Sequence, residues 1–342
     1  MTLKMNKFNS ENKKIIRTNW AKPLVSYIKD TLNKKLFYLG LPDTEAHDIV
    51  EWLEYIDTVY AFQCREYPLP SSPEQSRNKV LALENTLRIL ERKRQLTTFD
   101  VFDGYIEEVI LRGFDNSPTI KEFVQQEVIT LYNLDFCGQI TSPIEFKDRS
   151  GNLQKAYKFD AIGRLLDLQK QITFPNKKFL MFLTLHCSYD GKELSNFIAT
   201  PPSSDIQQYL SKTSHLSKGE KAPYLVKAFV SYFMLHFFAA NEFIAEILPI
   251  IYYIGDNKHP ILFFTILGTN VQNKSAGGVV HYQNLKNILN CPFVEINDND
   301  FVKSSTFSLD GDTDSGANLN PLHLFKNSKT YNNLWKATNN EA

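Results

Sequence analysis

Apolar positions recur in two alternating patterns along the chain, short continuous runs and stretches with helical spacing. The runs Lys35–Leu39, Thr58–Phe62, Thr98–Phe102, Glu127–Leu134 and Lys178–Leu185 are five to eight residues long and rich in β-branched and aromatic side chains. Runs of this kind, bounded by turn residues, read as strands buried on both faces. Between them lie segments whose apolar residues fall on one helical stripe. Asp43–Tyr55 places Ile49, Trp52, Leu53 and Ile56 together, and Val80, Leu83, Leu87 and Leu90 form a second stripe. Ser72-Pro73-Glu74-Gln75 opens that second helix with a serine cap, a proline at the first helical position and a capping-box glutamine. Its basic end, Arg92-Lys93-Arg94, complements the helix dipole. Lys22–Asn33, Phe159–Gln171 and Tyr224–Ala240 are three more helices.

Five strands alternating with helices predict a doubly wound, mostly parallel α/β sheet with right-handed crossovers. Two further runs, Ile244–Ile254 and Ile261–Leu267, are joined by only Gly255-Asp256-Asn257-Lys258-His259-Pro260. So short a link forces antiparallel pairing, since a parallel crossover needs a dozen or more residues. The expected architecture is a Rossmann-like, seven-stranded sheet over 35–267 with a terminal antiparallel hairpin. It lies within one domain spanning 21–297. Residues 1–20 read as a mobile basic leader carrying Lys4, Lys7, Lys13, Lys14 and Arg17, and 298–342 as a loosely held tail. A short amphipathic element is expected at Gln283–Leu289, and 200–219 reads as a polar loop with a short helix.

Composition changes this picture little. Apolar residues make up 43% of the 342, enough for a packed core. Lys+Arg and Asp+Glu are each 38, so no global field draws the protein to nucleic acid. A nucleic-acid contact would need a local patch such as the leader. The long apolar stretch Ala222–Ile254 contains Lys227, His236, Asn241, Glu242 and Glu246. It reads as a buried helix followed by a strand rather than a membrane span, and the opening residues lack an apolar signal core, so the expected location is the cytoplasm. The four cysteines, Cys64, Cys137, Cys187 and Cys291, form no CxxC pair and read as reduced thiols. Walker A, GxSxG and HExxH motifs are absent from the sequence. Asp310-Gly311-Asp312-Thr313-Asp314 starts like a calcium loop, but Ser315 and Pro321 stand where glycine and glutamate are needed.

In an open α/β sheet, ligands bind at the carboxyl ends of the strands. That rule selects Gly40, Gln63 to Glu66, Asp103-Gly104 and Asn133 to Gly138. His186-Cys187, with Tyr189 and Asp190, falls at the end of the fifth strand. Cys137 beside Asp135 suggests a nucleophile, although no histidine stands in a pairing motif with it.

The order of elements resembles the class I S-adenosylmethionine (SAM) methyltransferases, in which the last strand slots in antiparallel beside the fifth. The resemblance covers roughly Lys35 to Leu267. It implies that Gly40 sits under the methionine part of SAM, where only one glycine of the usual glycine-rich turn is kept and Tyr38 replaces an acid. It implies ribose contact near the end of the second strand, where Gln63 holds the acid position and Glu66 comes three residues later. Asp103, with Gly104, would face the adenine. Asn133-Leu134-Asp135-Phe136 is loosely similar to the Asp/Asn-Pro-Pro-Tyr motif of amino-group methyltransferases, without the prolines. Asn133 and Asp135 would then accept hydrogen bonds from the target amine, with a nucleobase amine of a nucleic acid as the acceptor class considered. Two other readings stand beside this one. The first is an inactive methyltransferase-fold interaction module with protein partners, for which a bacterial multi-protein system such as antiviral defence is a natural setting. The second is a nuclease or glycosidase using Asp103, Asp135 and Glu66.

Overall fold

The computed structural model describes residues 10–63, 73–173, 177–187, 191–255, 258–270, 285–304 and 317–328. The chain begins as one continuous helical rod. Ser10 caps α1 (Glu11–Ile15), accepting from the Lys13 amide. A π-helical turn, Ile16–Ala21, leads without a break into α2 (Lys22–Leu32), which stops at Asn33 in the left-handed region. Asparagine tolerates that conformation better than most residues. The leader expected over 1–20 is therefore helical and packed from Glu11 on. The reason is an apolar stripe, Ile16, Trp20, Leu24 and Ile28, all buried. The Trp20 ring is fully enclosed; its Nε1 donates to Thr265 Oγ1 at 2.9 Å and its face meets Phe301 edge-on at 4.9 Å.

The sheet strands follow as β1 (Leu36–Gly40), β2 (Ile56–Gln63), β3 (Thr98–Asp103) and β4 (Leu131–Gln139). A separate hairpin, β5 (Ile144–Lys147) with β6 (Leu153–Ala156), precedes β7 (Lys178–His186). Then come β8 (Phe243–Ile247), β9 (Ile251–Ile254), β10 (Pro260–Asn270), β11 (Val294–Asn297) and β12 (Asp300–Lys303). The spatial order is β12-β11-β9-β10-β7-β4-β1-β2-β3, with β8 also on β10. Strands β1, β2, β3, β4 and β7 are mutually parallel, and β10 lies antiparallel against β7. The chain thus winds outward from β1 to β3, then returns to β4 on the other side of β1.

The class and strand directions are those expected from the sequence, but the sheet is wider than seven strands. It has ten. The run Ile244–Ile254 is two strands, β8 and β9, both antiparallel to β10. Pro249, which has no amide hydrogen to give a ladder, interrupts them. At the other margin β11 joins β9 and pairs with β12. The tail expected from 298 on therefore supplies β12 and the helix Pro321–Lys326, whose Phe325 packs on Tyr27 of α2 at 5.4 Å.

Two other boundaries moved. The helix expected over Asp43–Tyr55 is only α3 (His47–Glu51). Asp43 Oδ1 takes the Glu45 and His47 amides, so a turn forms first. Strand β4 starts four residues later than the expected Glu127–Leu134 and ends five later. Helix α4 (Pro73–Arg92) covers one sheet face together with α2 and α3. The other face is covered by α5 (Ile106–Arg112), α6 (Lys158–Gln171), α7 (Lys192–Ala199), α8 (Ser204–Lys212) and α9 (Lys218–Ala240). Helix α9 has the length and apolarity of a membrane span, but most of it is buried in the protein core. That accounts for its apolar character on nearly all sides.

Candidate functional site

Alternation along the strands decides which side chains share a face. Tyr38, Val59, Ala61, Val101, Leu131, Leu180 and Phe182 belong to the core beneath the N-terminal rod, whereas Leu39, Phe62, Phe102, Tyr132 and Leu183 belong to the opposite one. Continuing with period two, Gly40, Gln63, Asp103, Asn133, Asp135 and His186 all fall on the rod's side at the carboxyl rim. Register puts Gly40 opposite both Ala61 and Asn133, Gln63 opposite Asp103, and Asp135 opposite Thr184. The gap between β1 and β4 is the point where winding reverses, the crevice that open α/β sheets use for ligands. Gly40 and Asn133 flank it.

A buried polar cluster fills that point. Asp48, 8% exposed in the first turn of α3, accepts from Tyr38 Oη and from Asn133 Nδ2, both at 2.5 Å. A carboxylate can only accept, so the Asn133 carboxamide must turn its NH2 inward. Its oxygen then points the other way. Burial raises the Asp48 carboxyl above the usual range, opposed by the bonds from Tyr38 and Asn133 and by the nearby Arg17. Burial, and then the charge of Asp48, push Tyr38 well above an ordinary phenol.

Further out on β4, Lys13 of α1 forms an ion pair with Asp135. His186 stands on the neighbouring strand, its ring stacked on His259 at 5.9 Å. Burial lowers its pKa, against the opposing pull of Asp135. Lys13 and Arg17, expected in a leader able to touch nucleic acid, are thus turned toward Asp135 and Asp48.

At the β3 end, the loop after α5 folds back over the rim. The Asp103 amide donates to Asp115 Oδ2 at 3.2 Å, and its carbonyl accepts from the Asn116 amide at 2.8 Å. Gly104 has φ +142°, and a Cβ there would lie 2.9 Å from Asn116 Nδ2. Glycine is favoured there by the backbone conformation, which residues with a side chain rarely adopt. Gly40 is equally confined: a Cβ would meet Tyr38 Oη and would lie 2.6 Å from the Asn133 carbonyl. Asn133 and Asp135 lie inside β4 rather than beyond its end.

Glu66, Tyr189, Asp190 and the Asp310–Asp314 stretch lie outside the described residues. Cys187 is a buried thiol whose pKa is raised by desolvation, and neither Cys187 nor Cys291 forms a disulfide. No group of three or more metal-ligating side chains occurs among the described residues. Sequence reasoning passed over Asp48 and Lys13. The signal for Asp48 was an acid four residues before Trp52, on the apolar stripe of its segment.

No protein-family model matches the chain, and no curated protein matches it. Solved structures similar to it include a SAM-dependent methyltransferase from Agrobacterium tumefaciens (13% identity, TM-score 0.32), matched over 73% of this chain and 61% of that one. The chain therefore spans about three fifths of that protein's length. A second is an rRNA methylase from Streptococcus thermophilus (11%, TM-score 0.32), over 72% and 94%. A third is a SAM-dependent methyltransferase from Thiobacillus denitrificans in complex with S-adenosyl-L-homocysteine (9%, TM-score 0.27), over 77% and 99%. In this chain, five parallel strands wind both ways from β1, and an antiparallel strand lies against the fifth. The fold is a Rossmann-like, mostly parallel α/β sheet.

Proposed function

We propose that the chain is a SAM-dependent methyltransferase-like protein whose carboxyl rim binds SAM and presents an amine to it, with a nucleobase amine as one acceptor class. The observation that carries this reading is the convergence of Gln63, Asp103, Asn133 and Asp135, from separate crossover units, on one face of the rim beside the winding reversal. The donor set fits the cofactor: SAM offers an ammonium group, ribose hydroxyls and an adenine amine, all hydrogen-bond donors, and this rim is rich in acceptors. Bound SAM would supply an electrophilic methyl on a positively charged sulfur. Gln63 and Asp103 would hold the adenosine end, with Glu66 as a further contact, and Gly40 and Gly104 would shape the floor.

The chain's own residues would orient and shield the acceptor. Asp48 fixes the Asn133 carboxamide so that its oxygen accepts from the amine. Asp135 accepts a second hydrogen, and the N-terminal rod restricts water. Alignment of this kind is what methyl transfer chiefly needs.

A second reading is favoured by one observation: the bare face of Gly40 is filled by Tyr38 and Asn133. On that reading the chain is an inactive methyltransferase-fold module that binds protein partners, as in an antiviral defence assembly. Titration calorimetry with SAM separates the two. Micromolar binding that Asp103→Ala abolishes supports the enzyme. No heat at millimolar SAM, with the protein folded, supports the module.

A further inference from the structure

Helix α1 reaches two strands at once. Its Lys13 pairs with Asp135 of β4, and the neighbouring Asn12 donates from Nδ2 to the Ile254 carbonyl at 3.1 Å. Ile254 is the last residue of β9, and β9 and β7 are both antiparallel to β10. Strands β9, β7 and β4 therefore run the same way, so Ile254 and Asp135 stand at one rim. In the order β9-β10-β7-β4, the two contacts straddle β10 and β7. Between them lies the end of β7, where His186 is half-buried and stacked on His259. Strand β4 also bulges there. Asp135 is opposite Thr184 but Gln139 is opposite His186, so β4 carries two extra residues just past Asp135. Bulges are over-represented where a sheet edge or rim meets a site.

This crossing piece and the rod behind it are unequally held. Ile15 is the one buried residue of α1, and the Lys13 and Asp135 side chains are 20% and 27% exposed. From the π-helical turn onward the rod is fixed. Ile16 and Trp20 are buried, the Arg17 carbonyl accepts from Trp52 Nε1 at 3.2 Å, and Trp20 is bonded to Thr265. Terminal turns held by partly exposed polar contacts open at far lower cost than core elements. We propose that α1 is a strap closed over the Asp135–His186 corner of the rim, latched by the Lys13–Asp135 ion pair and opened by uncoiling back to the π-helical turn. Opening takes the ammonium off Asp135 and uncovers the end of β7. Asp48 keeps the charge of Arg17, which lies beyond the break. The buried cluster at the winding reversal is thus untouched, and only the outer corner changes between closed and open. The strap governs access whatever ligand the rim takes, so the methyl-transfer reading is not needed for it.

Amide hydrogen exchange of the full chain, followed by NMR without any ligand, reads the strap directly. Protection of the Lys14 and Ile15 amides should fall roughly fivefold in Asp135→Lys, with that of the Val25 and Ile28 amides retained. Lys13→Glu should do the same. The double variant reverses the ion pair and should restore protection. Salt at about 1 M should loosen the parent strap in the same way, since it screens the latch. Protection at Lys14 and Ile15 that is unchanged in both single variants overturns the proposal. So does protection that is not restored by the reversal, that is indifferent to salt, or that is lost equally at Val25 and Ile28.

Discussion

Tyr38→Phe tests whether the buried cluster at the winding reversal is an energetic unit. The substitution keeps the ring, which is fully buried, and deletes only the hydroxyl that donates to Asp48 at 2.5 Å. A hydrogen bond to a charged group contributes about 1.5–3 kcal/mol. Asp48 retains the Asn133 donor and the Ile49 amide, the latter at 2.9 Å, so the loss is one bond and not the whole cluster. With an unfolding entropy of about 2.1 cal/mol/K per residue, a chain of 342 residues has roughly 0.7 kcal/mol/K. The melting temperature should therefore drop by about 2–4 °C. Differential scanning calorimetry at neutral pH reads the effect directly. The sign with pH is fixed as well. The Asp48 carboxyl is raised in the folded state, so the fold holds its proton more tightly than the unfolded chain does. Stability from this group is greatest at acid pH and is lost as pH rises from the ordinary carboxylate range through the raised value. Asp48→Asn removes that titration and should flatten the profile. A Tyr38→Phe melt indistinguishable from the parent, or an Asp48→Asn profile as steep as the parent's, would refute the reasoning.

Three more outcomes are expected. Trp20→Ala empties a fully buried site and severs the bond to Thr265, and should cost about 3–5 kcal/mol in urea unfolding. Gly40→Ala forces a methyl to within 2.6 Å of the Asn133 carbonyl; parting β1 from β4 should cost about 1–3 kcal/mol, read from the same urea midpoint. His186 is lowered by burial, so the unfolded chain binds protons more readily than the fold. Its contribution is complete above the ordinary histidine range and is lost as pH falls through it, and its imidazole resonances in NMR should titrate below about 6.5.

Strand positions were largely legible because buried parallel strands write themselves as apolar runs, and Lys178–Leu185 differs from β7 by one residue. The antiparallel closing pair followed from the shortness of its link. What failed had local causes. The helix over Lys22–Asn33 was legible, but the part of the rod before it hid behind its lysines, since Ile16 and Trp20 stand among polar neighbours and give little apolar signal on average. The helix after β1 was overextended because the apolar stripe continues to Ile56, whereas the capping bonds of Asp43 delay its start. The placement of Gly40, Asp103, Asn133 and Asp135 at the carboxyl rim was legible from strand ends alone. Asp48 and Lys13 reach the rim from other elements, and only three-dimensional packing brings them there.

The π-helical turn at Ile16–Ala21 has a consequence for how the rod is set. Such a turn amounts to one residue slipped into an α-helix. Each residue advances a helix by about 100° and 1.5 Å. Deleting one residue within the turn would convert its i−5 bonds, such as that from the Lys22 amide to the Arg17 carbonyl, into ordinary i−4 bonds, so the flanking turns would keep their phase and Lys13 would still face Asp135. A deletion within Lys22–Leu32 has no such slack and would swing the first turns by about 100°. The wide turn is the place where the rod tolerates a change of length without losing the contact between amine and carboxylate.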